Sequence, residues 1–389
     1  MYAERITNLK SSAIRDILKL MSKPGMIAFA GGSPAPELFP VREIAAAAER
    51  VLSKYGSTAL QYSITEGLIP LREKIASRLG PDGGPLPLDN VIITQGSQQA
   101  LDLLSKLYLD RDAVVFTENP SYLGALQSFR LFQAGIVAVP SDGHGIVVEA
   151  LRERLRTEKP KFLYVMPNFQ NPTGISYSQE RRKALVAAAQ DQNLLIVEDD
   201  PYGELIFEGE RLPTLFSLAK GKNAIYLSSF SKTIAPGLRV AYTAGDADIL
   251  SKMVIAKQGT DLQTNTFGQY IVNEYLETGH ISSHVKVIQE TYKNRRDVML
   301  AAMDRYFPKS IAWNRPSGGM FLWVTLPEGR DAKEILARCI EQNVAFVPGQ
   351  EFFPDGSGRN TMRMNFSSTS LENIEEGIKR MGGVLKSMI

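Results

Sequence analysis

The chain has 389 residues, of which 44% are hydrophobic and 22% charged, so it can bury a core and is not disordered by composition. Its formal net charge of +2 at pH 7 gives no electrostatic reason to expect nucleic acid or an anionic membrane as a partner. The single cysteine, Cys339, excludes a disulfide framework, and no run approaches the roughly 18 apolar residues that span a membrane. The N-terminal residues carry charges among their apolar positions, unlike a signal peptide, so a cytoplasmic location is expected.

Short apolar runs alternate with helical patterns through the middle of the chain. Strands are predicted at residues 91–94, 113–116, 161–166, 194–197, 224–227 and 239–243, and helical segments separate several of them. Strands that are buried on both faces and separated by helices predict a largely parallel α/β sheet. In such a sheet, ligands bind beyond the carboxyl ends of the strands.

The pattern changes after about residue 285. A long polar helical stretch leads to FLWVTL, DAKEILARCIEQN, MRMNFSS and a terminal helical pattern, which together predict a smaller α+β domain. We therefore predict a large domain over residues 41–285 and a small domain over residues 286–389. Residues 1–40 are loop-rich and are expected to pack back onto the small domain.

Two polar segments follow predicted strands. In TQGSQQ, Gly96 permits a tight turn and Ser97 and Gln98 begin a helix. The free N–H groups and dipole of a helix N-terminus favour an anion such as phosphate, although Ser97 alone reads equally well as an N-cap. In PNFQNPTG, Asn171 is either an amide that faces a ligand or part of an ordinary Asn-Pro turn.

Three consecutive acids, Glu198, Asp199 and Asp200, follow the strand at 194–197. One of their carboxylates could face a cation or a protonated ring nitrogen, or all three could be solvated. No histidine accompanies them, and the pair His280 and His284 has no third ligand nearby. No metal site is therefore predicted.

A lone lysine, Lys232, lies at the end of a predicted strand in SSFSKTIAPGLRVAY, close to Ser229, Ser231 and Arg239. A desolvated lysine near other positive charge has a lowered pKa and is the type of residue that forms Schiff bases. Ser229 and Arg239 could bind a phosphate. The same residues match S-x-x-K, in which Ser229 would be an acylated nucleophile, but the companion motifs S-D-N and K-T-G are each one residue wrong.

A phosphate site, an amide, a carboxylate and a reactive lysine are together what pyridoxal 5′-phosphate (PLP) requires. The motifs GSQQ, ENPSY, NPTG, EDDPY and SxSKxxAPGxRxxY occur in this order, and the chain resembles the fold-type I PLP aminotransferases of class I/II over essentially its whole length. SSAIRDILKL, AFAGGSPAPELFP and QYSITEGLIPLRE resemble the branch of 2-aminoadipate, kynurenine and aromatic aminotransferases. This resemblance implies an aspartate aminotransferase-like fold.

The resemblance also implies a role for each motif. Lys232 would form the Schiff base and move the substrate proton, and Asp199 would keep the pyridine nitrogen protonated. The remaining cofactor contacts would be Asn171 and Tyr202 on the phenolic oxygen, Tyr122 on the ring face, and Ser97, Gln98, Ser229 and Arg239 on the phosphate.

The substrate contacts implied by the resemblance are Arg363, Gly32 and Asn171. Arg363, in MRMNFSS, would bind the substrate α-carboxylate through its planar guanidinium, although without the resemblance it reads equally as an outward strand residue. Arg15 on the first helix is hypothesised to reach an acidic substrate side chain. Tyr62 resembles the tyrosine that reaches the phosphate of the other subunit, so a homodimer is implied, with residues 1–40 also packing on the partner.

The expected reaction moves an amino group from 2-aminoadipate, an aromatic or a long aliphatic amino acid to 2-oxoglutarate by a ping-pong mechanism. The first alternative is another PLP reaction, such as that of a C–S β-lyase or an aminocyclopropane-carboxylate synthase. A non-catalytic sensor is a second alternative, but an N-terminal DNA-binding domain would have no room before the first motif at about residue 12. The third is the serine acylase that uses Ser229.

Overall fold

The computed structural model of the chain describes residues 2–7, 25–80 and 84–389. Its α-helices are α1 (Glu4–Thr7), α2 (Val41–Tyr55), α3 (Ile69–Leu79), α4 (Ser97–Tyr108), α5 (Leu123–Leu131), α6 (Val148–Thr157), α7 (Gln179–Asp191), α8 (Leu215–Leu218), α9 (Ala247–Gln258), α10 (Thr266–Glu277), α11 (His280–Tyr306), α12 (Ala332–Glu341) and α13 (Leu371–Met388). Its β-strands are β1 (Ile27–Ala28), β2 (Val91–Thr94), β3 (Val114–Asn119), β4 (Gly135–Asp142), β5 (Gly145–Ile146), β6 (Phe162–Val165), β7 (Ile196–Asp199), β8 (Ala224–Ser229), β9 (Ala241–Ala244), β10 (Ala312–Trp313), β11 (Phe321–Thr325), β12 (Val344–Ala345), β13 (Val347–Pro348) and β14 (Thr361–Asn365).

A central eight-stranded sheet has the order β2-β9-β8-β7-β6-β3-β4-β5. The strands from β8 to β4 run parallel to one another, whereas β9 is antiparallel to both of its neighbours. Every residue of β2, β6 and β7 is buried, as expected for strands covered by helices on both faces. The largely parallel sheet that the apolar runs predict is therefore present.

Two details of this sheet differ from the prediction. The strand expected at 239–243 begins at Ala241. It is antiparallel to both of its neighbours, β2 and β8. Strand β4 was not predicted. Its centre at residues 136–139, IVAV, is an apolar run like those of the predicted strands, but Pro140 follows it directly and most of its side chains are partly exposed, which are features of an edge position.

A second, antiparallel sheet has the order β10-β11-β14-β13, and helices α11 and α13 pack against each other beside it. Arg363 lies in the middle of β14, opposite Trp323 on one side and Val347 on the other. Strand β1 pairs in parallel with β12, so residues just before the Gly31-Gly32 pair are attached to the C-terminal part of the chain. Among the described helices, none has the length and apolar character needed to cross a membrane.

Candidate active site

A cavity of about 420 Å³ lies beyond the carboxyl ends of β6, β7 and β8 and beside the start of α4. With the exceptions of Tyr62 and Arg15, every residue predicted for the site lines it. These residues are Gly32, Ser97, Gln98, Tyr122, Asn171, Asp199, Tyr202, Ser229, Lys232, Arg239 and Arg363. The motifs are widely separated in the chain, and the fold brings them to one place because neighbouring parallel strands end at one edge of the sheet.

Lys232 follows β8, and its Nζ donates a hydrogen bond to the carbonyl oxygen of Gly32 at 3.0 Å. Burial, together with the positive charges of Arg363 and Arg239, lowers the pKa of Lys232 to about 8. About a tenth of this amine is therefore unprotonated at pH 7, far more than for an ordinary lysine, and the unprotonated form is the one that a nucleophile or a general base requires.

Asp199 ends β7 and its side chain is only 2% exposed. Its Oδ2 accepts a hydrogen bond of 2.8 Å from the Tyr164 hydroxyl, whereas its buried Oδ1 has no hydrogen-bond partner among the residues that the structure describes. Burial raises the pKa of Asp199 to about 7, against the lowering effect of the Tyr164 hydrogen bond. A buried carboxylate oxygen without a donor is costly, so this one is suited to a ligand that carries a proton.

Arg363 is buried in the cavity wall at 4% exposure, so the surface-strand alternative for this residue is wrong. Its guanidinium carbon lies 4.5 Å from the ring centre of Phe321 and 5.0 Å from that of Phe352. Nη1 donates to Asn171 Oδ1 and Nη2 to the Ala30 carbonyl oxygen, both at 2.8 Å. Burial lowers the pKa of Arg363 to about 10, and its buried Nε has no partner among the described residues. One donor of a rigidly held cation therefore remains available for an anion.

The start of α4 offers a second set of free donors. Gly96 precedes the helix with φ 78°, and no side chain caps the first turn. The first two backbone N–H groups of that turn, those of Ser97 and Gln98, therefore have no acceptor among the described residues and are left for another one, such as a ligand. The buried hydroxyl of Ser97 has no partner among the described residues, and Arg239 reaches over the turn to donate to the Gln95 carbonyl oxygen at 3.2 Å.

Replacing Gly96 with alanine is expected to weaken the binding of PLP about tenfold, through strain at positive φ and loss of one anion contact. An added Cβ would lie 2.2 Å from Nη2 of Arg239 and would displace that guanidinium. Gly237→Ala is the matched control, because a Cβ at Gly237 would meet no atom within 4 Å. Equilibrium titration of the apoenzymes with PLP measures the difference, and equal affinities would contradict the assignment of this turn as the phosphate site.

Ser229 lines the cavity, but it does not form the pair that a serine nucleophile needs. Its hydroxyl donates to Ser231 Oγ at 2.7 Å, while Lys232 donates to Gly32 and makes no hydrogen bond to Ser229 in the described part of the chain. The serine-acylase alternative therefore has no base in place at Ser229.

The structure adds residues that were not assigned to the site from the sequence. Ser231, Met166 and Gln127 line the cavity, and Tyr164 contacts Asp199 from behind it. The sequence could have indicated Ser231, because it directly precedes Lys232. Nothing in the sequence indicated Tyr164, because it looks like any other residue of a buried strand.

Two predicted residues do not reach this cavity in the described chain. The side chain of Tyr62 is 78% exposed and lines a separate cavity of about 400 Å³ together with Leu60 and Gln263. The role of Tyr62 toward a second subunit stays a prediction. Arg15 lies outside the described residues.

The free groups in the cavity fit PLP. Lys232 could supply an amine for the aldehyde, Asp199 Oδ1 an acceptor for a protonated ring nitrogen, and the start of α4 with Arg239 donors for the phosphate. The buried Nε of Arg363 remains for a carboxylate. This fold and this set of groups define a PLP enzyme that acts on amino acids.

Comparison with known proteins agrees with this definition. The family model for aminotransferase class I and II matches residues 25–381. A 2-aminoadipate transaminase of Thermus thermophilus is 45% identical over 98% of this chain and 95% of its own length. The crystal structure of an α-aminoadipate aminotransferase from Thermus thermophilus, complexed with N-(5′-phosphopyridoxyl)-L-leucine, has a TM-score of 0.93 at 44% identity and covers 99% of this chain and 97% of that one. The crystal structure of Pyrococcus horikoshii kynurenine aminotransferase has a TM-score of 0.96 at 40% identity and covers 100% of this chain and 98% of that one.

The chain belongs to the aminotransferase class I and II family. It is a PLP-dependent aminotransferase, and the predicted family, aspartate aminotransferase-like fold, activity and cofactor are confirmed.

Proposed function

We propose that the residues lining the cavity hold PLP and the substrate in the roles predicted from the motifs. Lys232 anchors the cofactor covalently, Asp199 accepts from the ring nitrogen, and Tyr122 packs on the ring face. The phenolic oxygen is held by Asn171 and Tyr202, and the phosphate by Ser97, Gln98, Ser229 and Arg239. The observation that carries this proposal is the single cavity that holds the amine of Lys232, the free Oδ1 of Asp199 and the free Nε of Arg363.

When bound, PLP acts as an electron sink for the negative charge that develops on the substrate Cα. Arg363 fixes the α-carboxylate and, with Gly32 and Asn171 beside it, orients the Cα–H bond. Lys232 Nζ would accept the proton from Cα, because an amine of pKa about 8 is a competent base near neutral pH.

The proposed amino donors are 2-aminoadipate, aromatic and long aliphatic amino acids, and the proposed acceptor is 2-oxoglutarate, in a ping-pong reaction. Supporting this choice, the relatives are named for 2-aminoadipate and kynurenine, and one of them was crystallised with a phosphopyridoxyl derivative of leucine. We also propose that Arg15 contacts acidic substrate side chains. In that case Arg15→Ala should lower kcat/KM for glutamate relative to that for leucine, and an unchanged ratio would remove Arg15 from the site.

The visible absorption spectrum of the purified protein tests the proposal. We expect a yellow band that is bleached by glutamate and by 2-aminoadipate, phenylalanine or leucine in the absence of any 2-oxo acid, because the first half-reaction needs only the donor. Adding 2-oxoglutarate should restore the band. A band that no donor bleaches would contradict the donor class, and release of ammonia without an acceptor would favour a lyase.

We further propose a homodimer in which Tyr62 reaches the phosphate in the partner's cavity. Large apolar side chains at Leu60, Tyr62, Ile64 and Leu262 are exposed in the single chain, which supports a contact surface there. Light scattering should give twice the mass of one chain, and Tyr62→Phe should weaken PLP binding. This arrangement would be contradicted if the protein were monomeric at every concentration tested and still bound PLP, or if Tyr62→Phe bound PLP as tightly as the wild type.

The division into a large domain at 41–285 and a small domain at 286–389 remains a proposal. It is supported by the separate sheets formed within residues 91–244 and 312–365. The pairing of β1 with β12 supports packing of the segment before residue 40 on the small domain. A cytoplasmic location is also proposed, and a chain with one cysteine suits a reducing compartment.

A further inference from the structure

Three tyrosine hydroxyls donate to buried acids in the large sheet. Tyr164 donates to Asp199 at 2.8 Å, Tyr226 to Asp200 at 2.9 Å, and Tyr177 to Glu118 at 2.7 Å. All six side chains are buried. Of the three carboxylates, only that of Asp199 lines the cavity that holds Lys232.

The first two pairs have the same geometry on opposite faces of the sheet. Tyr164 lies opposite Val197, two residues before Asp199, and Tyr226 lies opposite Glu198, two residues before Asp200. Side chains two residues apart share a face, so each tyrosine contacts its acid across a strand diagonal. Asp200 and Tyr226 face a second cavity, of about 230 Å³.

We propose that Tyr164 is a positioning residue for Asp199. Its hydrogen bond to Oδ2 keeps Asp199 ionised and directs the other oxygen, Oδ1, at the ring nitrogen of PLP. This inference rests on the role of Asp199 in the proposed function. Tyr164 does not line the cavity itself. Its ring is fixed by an edge-to-face contact with Phe129, with ring centres 5.7 Å apart, so its hydroxyl has little freedom to turn away.

The charge balance around Asp199 explains why such a donor is needed. Burial raises the pKa of this carboxyl and the neighbouring Asp200 raises it further, whereas the hydrogen bond from Tyr164 lowers it. The Tyr164 hydroxyl itself stays protonated, because burial and the charge of Asp199 raise its pKa well above 10. Without this donor, Asp199 would be protonated over more of the pH range and would pair less well with a protonated nitrogen.

The test compares the affinity of four full-length apoenzymes, wild type, Tyr164→Phe, Tyr226→Phe and Asp199→Asn, for PLP and for 1-deazapyridoxal 5′-phosphate. The second ligand carries a C–H group in place of the ring nitrogen. A hydrogen bond to a charged group contributes about 1.5–3 kcal/mol, so Tyr164→Phe should bind PLP about 10- to 100-fold more weakly than wild type. Its affinity for the deaza ligand should be unchanged. Tyr226→Phe should match wild type with both ligands.

The pH dependence gives a second readout. Protonation of Asp199 removes its attraction for the ring nitrogen, so PLP affinity should fall as the pH is lowered through the pKa of Asp199. Removal of the Tyr164 donor raises that pKa, and the fall should therefore begin at higher pH in Tyr164→Phe. The melting temperatures of Tyr164→Phe and Tyr226→Phe show how far the loss of a buried hydroxyl lowers stability. PLP binding is measured well below both melting temperatures.

The outcomes distinguish the positioning role of Tyr164 from the role of Asp199 at the ring nitrogen. If Asp199→Asn loses affinity only for PLP and Tyr164→Phe behaves as wild type, the inference is wrong and the role of Asp199 stands. If Tyr164→Phe loses affinity equally for both ligands, Tyr164 is structural and the inference is again wrong. If Asp199→Asn binds both ligands as wild type does, the proposed role of Asp199 fails, and the inference with it.

Discussion

Replacement of Lys232 by methionine is expected to reduce transamination by about 10⁴-fold or more, the upper end of the effect of losing a general base, because the same amine also anchors the cofactor. The methionine side chain has nearly the length of lysine and fills the same space without the amine. The yellow band that glutamate bleaches should be lost, and borohydride should no longer attach the cofactor to the chain. The measurements are the steady-state rate with 2-oxoglutarate and the mass of the reduced protein.

Lys257 provides a matched control for this experiment. Its side chain is fully buried, its pKa is lowered by burial as that of Lys232 is, and its Nζ pairs with Asp261 at 2.7 Å outside the cavity. Lys257→Met should lower the melting temperature, because Asp261 loses its partner, and should leave the bleaching of the band by glutamate intact. If Lys232→Met retained that bleaching, another amine would anchor the cofactor and the site assignment would be wrong.

Replacement of Arg363 by lysine is expected to lower kcat/KM for amino acids by about 10²-fold, equivalent to about 3 kcal/mol, because the planar fork that binds a carboxylate is lost. The positive charge is conserved in this variant, so the loss of kcat/KM would measure the contribution of the planar guanidinium. The lysine would also leave Asn171 Oδ1 and the Ala30 carbonyl oxygen without their present donors. The effect should appear with donors that carry an α-carboxylate.

A primary amine such as 1-aminohexane, which has no carboxylate, should react slowly with the wild type and no more slowly with Arg363→Lys. The control variant is Arg296→Lys, because Arg296 is also a buried guanidinium, with its carbon 5.4 Å from the ring centre of Phe207, and it does not line the cavity. Arg296→Lys should reduce stability without discriminating between the two kinds of donor. Equal losses for amine and amino acid in Arg363→Lys would show that Arg363 does not act through the carboxylate.

The gathering of motif residues at one edge of the sheet could be predicted, because several of them lie in short polar segments at the ends of buried strands, whereas their roles came from the resemblance to the family. Lys232, Asp199 and Asn171 are of this kind, and parallel strands place such segments at one edge whatever the details of the sheet. Arg363 is different. Its strand pattern was equally compatible with an exposed position, and the resemblance to the family, rather than periodicity, identified it.

The contacts between these residues could not be predicted, because they depend on the register between distant strands. Tyr164 meets Asp199 only because β6 and β7 pair with Tyr164 opposite Val197, and nothing within KFLYVM marks its hydroxyl as functional. The two rings that enclose Arg363, Phe321 and Phe352, come from separate parts of the chain and read from the sequence as ordinary core residues.

The sequence by itself therefore determined the kind of protein: an α/β chain whose ordered polar motifs require PLP and an amino-acid substrate. Local residue types and spacing carry that information, because they are set by the chemistry each segment must perform. Only the tertiary structure decided that β9 runs antiparallel within the sheet, that Arg363 is buried, and which atoms of Asp199 and Arg363 have no partner among the described residues. Strand direction, burial and hydrogen-bond satisfaction depend on contacts between residues far apart in the chain, and no local pattern specifies them.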